Sequence, residues 1–228
     1  MGEAGGRRVL KSEVRLLALG LVLALLFAAD AVAATVWTRL PLDLEITRTV
    51  QAIPWGALVA AFLGVDWTEG VRQAILGVAV VTAVFLFKRR AALWAFASFL
   101  SGGAYYVVQL LVARPRPPAS LVHVVRHASG HSFPSGHLTF FTWVAAVLVV
   151  AFLPRRLRAA AWAVSGVLLA VIAIGRIYEG EHWPSDVAGG VLLGAAWTLV
   201  AHQLLGVREQ RRRAAAVHEH DRLRQLSG

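Results

Sequence analysis

The stretch Ser132-Phe133-Pro134-Ser135-Gly136-His137 lies between two long apolar runs, and the rest of the chain is organised around it. Two further polar clusters flank it in the sequence. Arg114-Pro115-Arg116-Pro117 precedes it, and a run from Arg176 to Asp186 follows it. All three clusters lie at the ends of apolar segments rather than inside them. Because the ends of membrane helices meet the water interface, this placement predicts functional groups gathered at a membrane surface.

The composition is that of an integral membrane protein. The chain is 57% hydrophobic and 16% charged, whereas soluble domains are ~45–50% apolar and ~25% charged. Because there is no cysteine, a disulfide framework and a thiolate metal site are both excluded. The net charge of +10 is divided among short basic clusters between apolar runs, as in membrane loops. We therefore predict no nucleic-acid partner.

The apolar runs predict an all-α, polytopic membrane protein with six transmembrane helices. The predicted spans are Leu16–Ala34, Val71–Phe87, Ala91–Val112, His137–Leu153, Ala159–Ile174 and Val187–Val207. They divide the chain into a cytoplasmic tail at residues 1–15, a six-helix domain at residues 16–207 and a basic cytoplasmic tail at residues 208–228. The last tail is expected to be a solvated helix.

The ends of the first span leave two questions open. Its basic start, apolar centre and Ala31-Val32-Ala33 sequence also fit a cleavable signal peptide. After it, the apolar patch from Ile53 to Val65 is shorter than the ~20 residues that a span needs. Trp55 and Trp67 bracket this patch and favour the interface. We predict interfacial helices between the first and second spans; a true span is the alternative and would invert the topology downstream.

The distribution of basic residues sets the orientation. With six spans, 16 of the 23 Lys and Arg residues fall on the side of the two termini and 7 on the other side. The richer side is expected to be cytoplasmic. Both termini are therefore predicted inside, and all three polar clusters on the extracytoplasmic face.

The clusters carry groups that suit a phosphate. Arg116 and Arg176 offer planar forks of donors that match phosphate oxygens, whereas Arg114 and Arg126 could instead snorkel toward lipid headgroups. Ser135-Gly136-His137 precedes a helix-forming run, where unpaired backbone N–H groups suit an anion. The histidine there could hand a proton to a leaving oxygen. A helix cap with an incidental histidine is the alternative.

His182 and Asp186 are four residues apart and would share one face of a helix that Pro184 begins. A carboxylate bonded to one imidazole nitrogen leaves the other nitrogen free to attack. The alternative is a surface His–Asp pair without a catalytic role. A second histidine and two arginines nearby disfavour that alternative.

Together the clusters resemble the type 2 phosphatidic acid phosphatase superfamily of membrane lipid phosphatases, which includes bacterial phosphatidylglycerophosphate and undecaprenyl pyrophosphate phosphatases. Its signature is Lys-x6-Arg-Pro, then Pro-Ser-Gly-His, then Ser-Arg-x5-His-x3-Asp. The matching residues are Arg116-Pro117, Pro134-Ser135-Gly136-His137, Arg176, His182 and Asp186. The motifs cover residues 109–186, and the six-span layout extends the resemblance over nearly the whole chain.

The resemblance implies a covalent mechanism without metal or cofactor. In this mechanism His182 attacks phosphorus, Asp186 orients it and His137 protonates the leaving lipid alkoxide or phosphate. The groups implied to hold the phosphate oxygens are Arg116, Arg176, Ser135, Gly136 and Gln109. The expected substrates are polyprenyl pyrophosphate, phosphatidylglycerol phosphate or phosphatidic acid in the outer leaflet.

Two positions depart from the family pattern: Gln109 stands where the family has lysine, and Gly175 where it has serine. Glutamine can donate a hydrogen bond but brings no charge. A charged hydrogen bond is worth roughly 1.5–3 kcal/mol, so its loss should slow turnover about 10- to 150-fold. Arg114 or Arg126 supplying the missing charge is a hypothesis.

Other functions remain open at this point. A lipid phosphotransferase would use the same residues. A non-catalytic lipid-phosphate binder is favoured by Gln109 and Gly175, although the intact histidines and aspartate argue against it. A transporter or channel should carry several ionisable groups in mid-membrane, and only Asp30 fits that description.

A metal site is the weakest alternative. His123, His127 and His131 lie close in sequence, but zinc needs a third or fourth ligand of suitable geometry, and no carboxylate lies nearby. We predict that no metal is bound.

Overall fold

The computed structural model describes the backbone of residues 3–226 and the side chains of residues 14–205. Over residues 3–226 the regular structure is helical, without a strand. The elements are α1 (Glu3–Val36), α2 (Asp43–Ala52), α3 (Leu58–Val65), a 3₁₀ turn (Asp66–Thr68), α4 (Val71–Phe87), α5 (Arg89–Phe99), α6 (Ser101–Val112), α7 (Gly136–Phe152), α8 (Arg155–Tyr178) and α9 (Pro184–Leu226). The predicted all-α class is confirmed for this part of the chain.

Helix length supports four or five membrane spans among the described residues. Four stretches are long and apolar enough on their own: Val14–Val36, Arg89–Val112, Arg155–Tyr178 and Pro184–Leu205. Leu58–Thr68 and Val71–Phe87 form a fifth only as a pair, which is bent by 79°. With 17 residues, α7 is apolar but shorter. A sixth span and the interfacial position of α2 and α3 therefore stay predictions.

Local sequence explains where the helices end. Ile53 is extended because it precedes Pro54, and α2 ends there. Ala113 adopts a left-handed conformation with φ 50°, which terminates α6 and directs the chain into Arg114. Pro184 occupies the first turn of α9, where its missing N–H costs nothing. The polar clusters thus leave the helices at positions that the backbone determines.

The helices pack around two apolar clusters. One lies between α4, α5 and α7 and contains Val84, Trp94 and Trp143. The other joins α7, α8 and α9 beneath the polar end through Leu138 and Ile172. Many large apolar side chains of α1, α4, α6 and α8 point outward instead. An outer surface of this kind suits hydrocarbon rather than water.

Helix α2 anchors the long loop between α6 and α7. The Gln51 amide donates hydrogen bonds to the carbonyl oxygens of His123 (2.6 Å) and Tyr178 (2.9 Å), and its Oε1 accepts the N–H of His123 (3.0 Å). Gly180 has φ +71°, and a Cβ there would lie 2.5 Å from the His123 carbonyl oxygen. The loop is therefore held against the turn that joins α8 to α9.

Candidate active site

The amino-terminal ends of α7 and α9 meet at the centre of the site. The N–H of Ser135 donates to the backbone oxygen of Asp186 at 2.9 Å. The two helices approach so closely that a Cβ on Gly190 would lie 2.5 Å from the Ser135 carbonyl oxygen. This contact brings His137, in the first turn of α7, to the same end of the bundle as His182, which lies just before α9.

His182 is held by the main chain of the Pro-Ser-Gly-His segment. Its side chain is buried, and Nδ1 lies 2.8 Å from the carbonyl oxygen of Ser132. A carbonyl can only accept, so Nδ1 carries the hydrogen and Nε2 carries the lone pair. Burial lowers the pKa of His182 well below its usual value, and the nearby cations Arg116 and Arg176, together with His137, lower it further. The imidazole is therefore neutral and can act as a nucleophile.

Asp186 lies near His182 but directs its hydrogen bonds elsewhere. Its Oδ2 is 3.9 Å from Nδ1 of His182, beyond hydrogen-bond distance. The same oxygen accepts the hydroxyl of Ser132 and the N–H of Trp183 (2.7 Å), the second as in a capping box. Oδ1 accepts from the guanidinium of Arg114 at 2.5 Å. At this distance Asp186 can act on His182 only through its charge, while the Ser132 carbonyl holds the ring.

Two buried polar atoms at the start of α7 have no partner. Nε2 of His137 and Oγ of Ser135 are both inaccessible to solvent and form no hydrogen bond. Buried polar groups in proteins are normally paired, so each such atom calls for an explanation. A phosphate oxygen or a leaving oxygen would satisfy both.

Arg116 retains a charge available for an anion. Its guanidinium donates to the carbonyl oxygens of Ser129 (2.9 Å), Gly130 (3.3 Å) and Glu181 (2.8 Å). Among the described side chains no carboxylate pairs with it. The loop thus positions the guanidinium without neutralising it.

Arg176 was predicted to bind an anion, but its guanidinium already contacts carboxylates of the protein. Its Nη atoms contact Asp66, Glu179 (2.8 Å) and Glu181 (3.2 Å), and one of them donates to the carbonyl oxygen of Phe62 (3.0 Å). Nε has no partner. Arg176 therefore offers one N–H group and part of a shared charge.

Burial moves two acidic groups of this network, Glu179 and Glu181, toward the neutral form. It raises the pKa of Glu179 to about 8, with Arg176 opposing the change, and it also raises the pKa of Glu181. Arg126 joins the network through Asp66, Glu69 and Glu181. A partly protonated set of carboxylates reduces the excess negative charge around the two guanidinium groups.

Gln109 occupies the position of the family lysine, and Arg114 and Arg126 were the two arginines that could replace its charge. All three side chains are engaged within the protein. The Gln109 amide donates to Tyr105 Oη (2.7 Å) and to the His131 carbonyl oxygen (3.0 Å), which uses both of its N–H groups. Arg114 is 1% exposed and paired with Asp43 and Asp186, so the expectation that it snorkels toward headgroups is wrong. Arg126 is paired with acids, so neither arginine brings a free charge to the lysine position.

Among the described residues, the carboxylates around Arg176 also form a group whose geometry could suit a metal ion. Oxygens of Asp66, Glu179 and Glu181 lie within 4.8 Å of one another. The Arg176 guanidinium already contacts all three of them. The histidines at 123, 127 and 131 do not form such a group.

Sequence reasoning did not find three of the residues that build this site. The Ser132 carbonyl and hydroxyl belong to the stretch from Ser132 to His137, but a main-chain acceptor has no sequence signature. Asp43 and Asp66 come from the segment between α1 and α4, far in sequence from the arginines that they contact.

Comparison with known proteins shows the family. The model of the PAP2 superfamily, the type 2 phosphatidic acid phosphatases, matches residues 74–210. This range covers more than half of the chain and includes all three motifs, so the chain is a multi-pass membrane protein that belongs to the PAP2 superfamily. The resemblance drawn from the motifs is confirmed.

Relatives and solved structures agree with that assignment. YbjG of Escherichia coli strain K12, provisionally named an undecaprenyl-diphosphatase, is 29% identical over 189 residues, which are 70% of this chain and 82% of that protein. Decaprenylphosphoryl-5-phosphoribose phosphatase of Mycobacterium tuberculosis is 36% identical over 118 residues, which are 51% of this chain and 62% of that protein.

Two crystal structures share the fold. The PAP2-type phosphatidylglycerolphosphate phosphatase of Bacillus subtilis superposes with a TM-score of 0.65 at 22% identity, covering 84% of this chain and 96% of that one. LpxE of Aquifex aeolicus gives 0.56 at 23% identity, covering 71% and 95%. At these identities the likeness concerns the fold alone.

Proposed function

We propose that this protein hydrolyses a lipid phosphate or diphosphate at the extracytoplasmic face of the membrane, through a phosphohistidine on His182 and without a metal ion. The observation that carries the proposal is the buried imidazole whose Nδ1 is bound to the Ser132 carbonyl. This contact leaves Nε2 as the nucleophile. The unpartnered atoms of His137 and Ser135 support the proposal, since both suit a phosphate substrate.

The first step forms the phosphoenzyme. Nε2 of His182 attacks phosphorus, the P–N bond forms, and the P–O bond to the leaving group breaks with its electron pair on oxygen. His137, as an imidazolium that the anionic substrate favours, gives its proton to that oxygen. The positive charge on the phosphorylated ring is stabilised by Asp186, whose nearer oxygen lies 3.9 Å from Nδ1.

The second step returns the enzyme to its starting state. His137, now neutral, takes a proton from a water molecule whose oxygen attacks phosphorus. The P–N bond breaks, and His182 again holds a lone pair on Nε2. Arg116, the Nε–H of Arg176 and the N–H groups at the start of α7 stabilise the equatorial oxygens in both steps.

An apolar cavity supports a lipid substrate. A cavity of about 220 Å³ lies against Gly136 and is lined by residues of α4, α5, α6 and α7, among them Phe99, Tyr106 and Trp143. A substrate whose phosphate binds at the start of α7 would place the adjoining carbon atoms in this cavity. The names of the E. coli and M. tuberculosis relatives make polyprenyl phosphates and diphosphates the first substrates to test.

The decisive experiment measures phosphate release from polyprenyl diphosphates, phosphatidylglycerophosphate and phosphatidic acid by the purified protein in detergent. We expect the wild type to release phosphate from at least one of them. His182→Ala should abolish release, while His127→Ala, which changes an exposed loop histidine, should leave it unchanged. Activity in His182→Ala equal to the wild type, or no hydrolysis of any of these lipids by the wild type, would refute the proposal.

Three further measurements test the phosphohistidine intermediate, the independence from metal and the choice between hydrolysis and phosphotransfer. A phosphoprotein trapped during turnover should be acid-labile and absent from His182→Ala. A chelator should leave the rate unchanged if no metal takes part. Free phosphate measured against phosphorylated acceptor separates hydrolysis from phosphotransfer.

A further inference from the structure

We propose that Asp43 and Arg114 are positioning residues of this active site, a buried carboxylate–guanidinium pair that holds Asp186 in place beside His182. The inference rests on the proposed function. Neither residue is one of the fixed residues of the three family motifs, and Asp43 lies outside the range that the family model matches. The active site would therefore extend into α2.

Arg114 acts on the site through a carboxylate and not through the substrate. One Nη atom donates to Asp186 (2.5 Å), the other to Asp43 (2.8 Å), and Nε to the carbonyl oxygen of Thr38 (3.2 Å). Every nitrogen of the guanidinium is engaged in the interior. The planar fork fixes the relative position of the two carboxylates, which a lysine cannot do.

Asp43 ties the same arrangement to the start of α9. Its Oδ1 accepts the N–H of Ser185 (3.0 Å), and its Oδ2 accepts the Ser185 hydroxyl (2.8 Å). Ser185 is the second residue of the helix, where backbone N–H groups lack partners within the helix. Asp43 therefore caps α9 from another helix. It does so at Ser185, the residue next to Asp186 in sequence.

The charge of the group suits the chemistry. Two carboxylates share one guanidinium, so the set of Asp43, Arg114 and Asp186 carries one net negative charge beside His182. The imidazole gains positive charge as it attacks phosphorus, and an opposite charge within a few ångströms stabilises that change. Since Arg114 and the Ser132 hydroxyl bind different oxygens of Asp186, the carboxylate cannot rotate away from the ring.

Two variants test the pair, and a third serves as control. Arg114→Lys keeps the charge and loses the fork. Asp43→Asn keeps the shape and loses the charge. Arg48→Lys makes the same chemical change as the first variant at an exposed position on α2.

We expect Arg114→Lys to lower kcat about 10- to 100-fold, within the range that a lost charged hydrogen bond produces. Asp43→Asn should lower kcat about 3- to 10-fold, the range of an ordinary hydrogen bond, because the amide can still form neutral contacts. KM and the inhibition constant of orthovanadate should change less than about threefold, because Arg116 and the start of α7 bind the anion. Arg48→Lys should match the wild type.

The outcomes separate a positioning role from a merely structural one. Wild-type kcat in both variants would overturn the inference, as would a loss of vanadate binding in parallel with kcat, since that reports general distortion. If Arg114→Lys does not fold, judged by thermal unfolding in detergent, Asp43→Asn decides alone. His182→Ala is measured in parallel, so that a failure of the proposed function is recognised independently of these variants.

Discussion

Replacing Asp186 with asparagine tests how the nucleophile is oriented. In this structure the hydrogen on Nδ1 of His182 points to the Ser132 carbonyl at 2.8 Å, while the nearer oxygen of Asp186 is 3.9 Å away. No side-chain substitution removes a main-chain carbonyl. The tautomer of His182 should therefore survive in Asp186→Asn, and the direct effect on His182 should be the loss of the carboxylate charge. The amide nitrogen also cannot accept a hydrogen bond, so the contact with Arg114 or the contacts with Ser132 and Trp183 are lost as well.

The separation gives the size of the effect. Two unit charges 3.9 Å apart interact by about 4 kcal/mol at an effective dielectric constant of about 20. At about 1.4 kcal/mol per factor of ten, this corresponds to a decrease in kcat of about a thousandfold. In a serine protease triad, where the aspartate itself fixes the tautomer, the matching substitution costs about ten-thousandfold.

The assay is steady-state phosphate release at saturating lipid, with thermal unfolding in detergent as the check on folding. A decrease near a thousandfold, with a phosphoprotein still detectable, agrees with orientation by Ser132. A decrease of ten-thousandfold or more would show that Asp186 holds the tautomer and that the carbonyl contact does not. Activity within about threefold of the wild type would show that the charge has no catalytic role.

Three further predictions follow from single contacts. His137→Gln should lower kcat for a lipid phosphate by about 10²–10⁴-fold and much less for p-nitrophenyl phosphate, whose leaving group needs no proton; equal losses with both substrates would contradict a general acid. Gln109→Lys should raise kcat/KM by about tenfold, because a charged donor replaces a neutral one; an unchanged or lower value in the same phosphate-release assay would show that this position no longer serves the phosphate. Gly190→Ala should lower the thermal unfolding midpoint, since its Cβ meets the Ser135 carbonyl oxygen and overpacking costs about 1–3 kcal/mol. Gly166→Ala, where the added Cβ meets nothing within 4 Å beyond the adjoining backbone of its own helix, is the matched control. Equal midpoints in both variants would contradict the close contact.

Helices were predictable where residues that interrupt helical structure lie at their ends. Val71–Phe87 has the predicted bounds, since Gly70 has a positive φ at its start and Lys88 breaks the helix at its end. The region Ala91–Val112 was predicted as one span, and Arg89–Val112 is long and apolar enough to be one, although the regular helix is interrupted at Leu100. An apolar run sets the length of a span, so a local interruption of the helix inside the run is invisible to hydropathy.

The site residues were predictable where they lie close together in the sequence. His182 and Asp186 lie four residues apart, and a helix brings such residues together whatever surrounds them. The surroundings of Arg176 and Arg114 depend on Asp66 and Asp43, which reach them from a different part of the chain. No spacing rule links an acid to an arginine more than 70 residues away, as in Arg114 and Asp43, so these pairs needed coordinates.

The segment between α1 and α4 contributes one carboxylate to each of two buried guanidinium groups, Asp43 to Arg114 and Asp66 to Arg176. A chimera that joined residues 74–210 to the amino-terminal part of an unrelated membrane protein would keep every signature residue. It would nevertheless remove one carboxylate partner from each guanidinium, leaving Arg114 with Asp186 and Arg176 with Glu179 and Glu181. Removing one partner of a buried ion pair is strongly destabilising. Transferring this active site to another scaffold therefore requires α2 and the 3₁₀ turn, which carry Asp43 and Asp66, as well as the motifs.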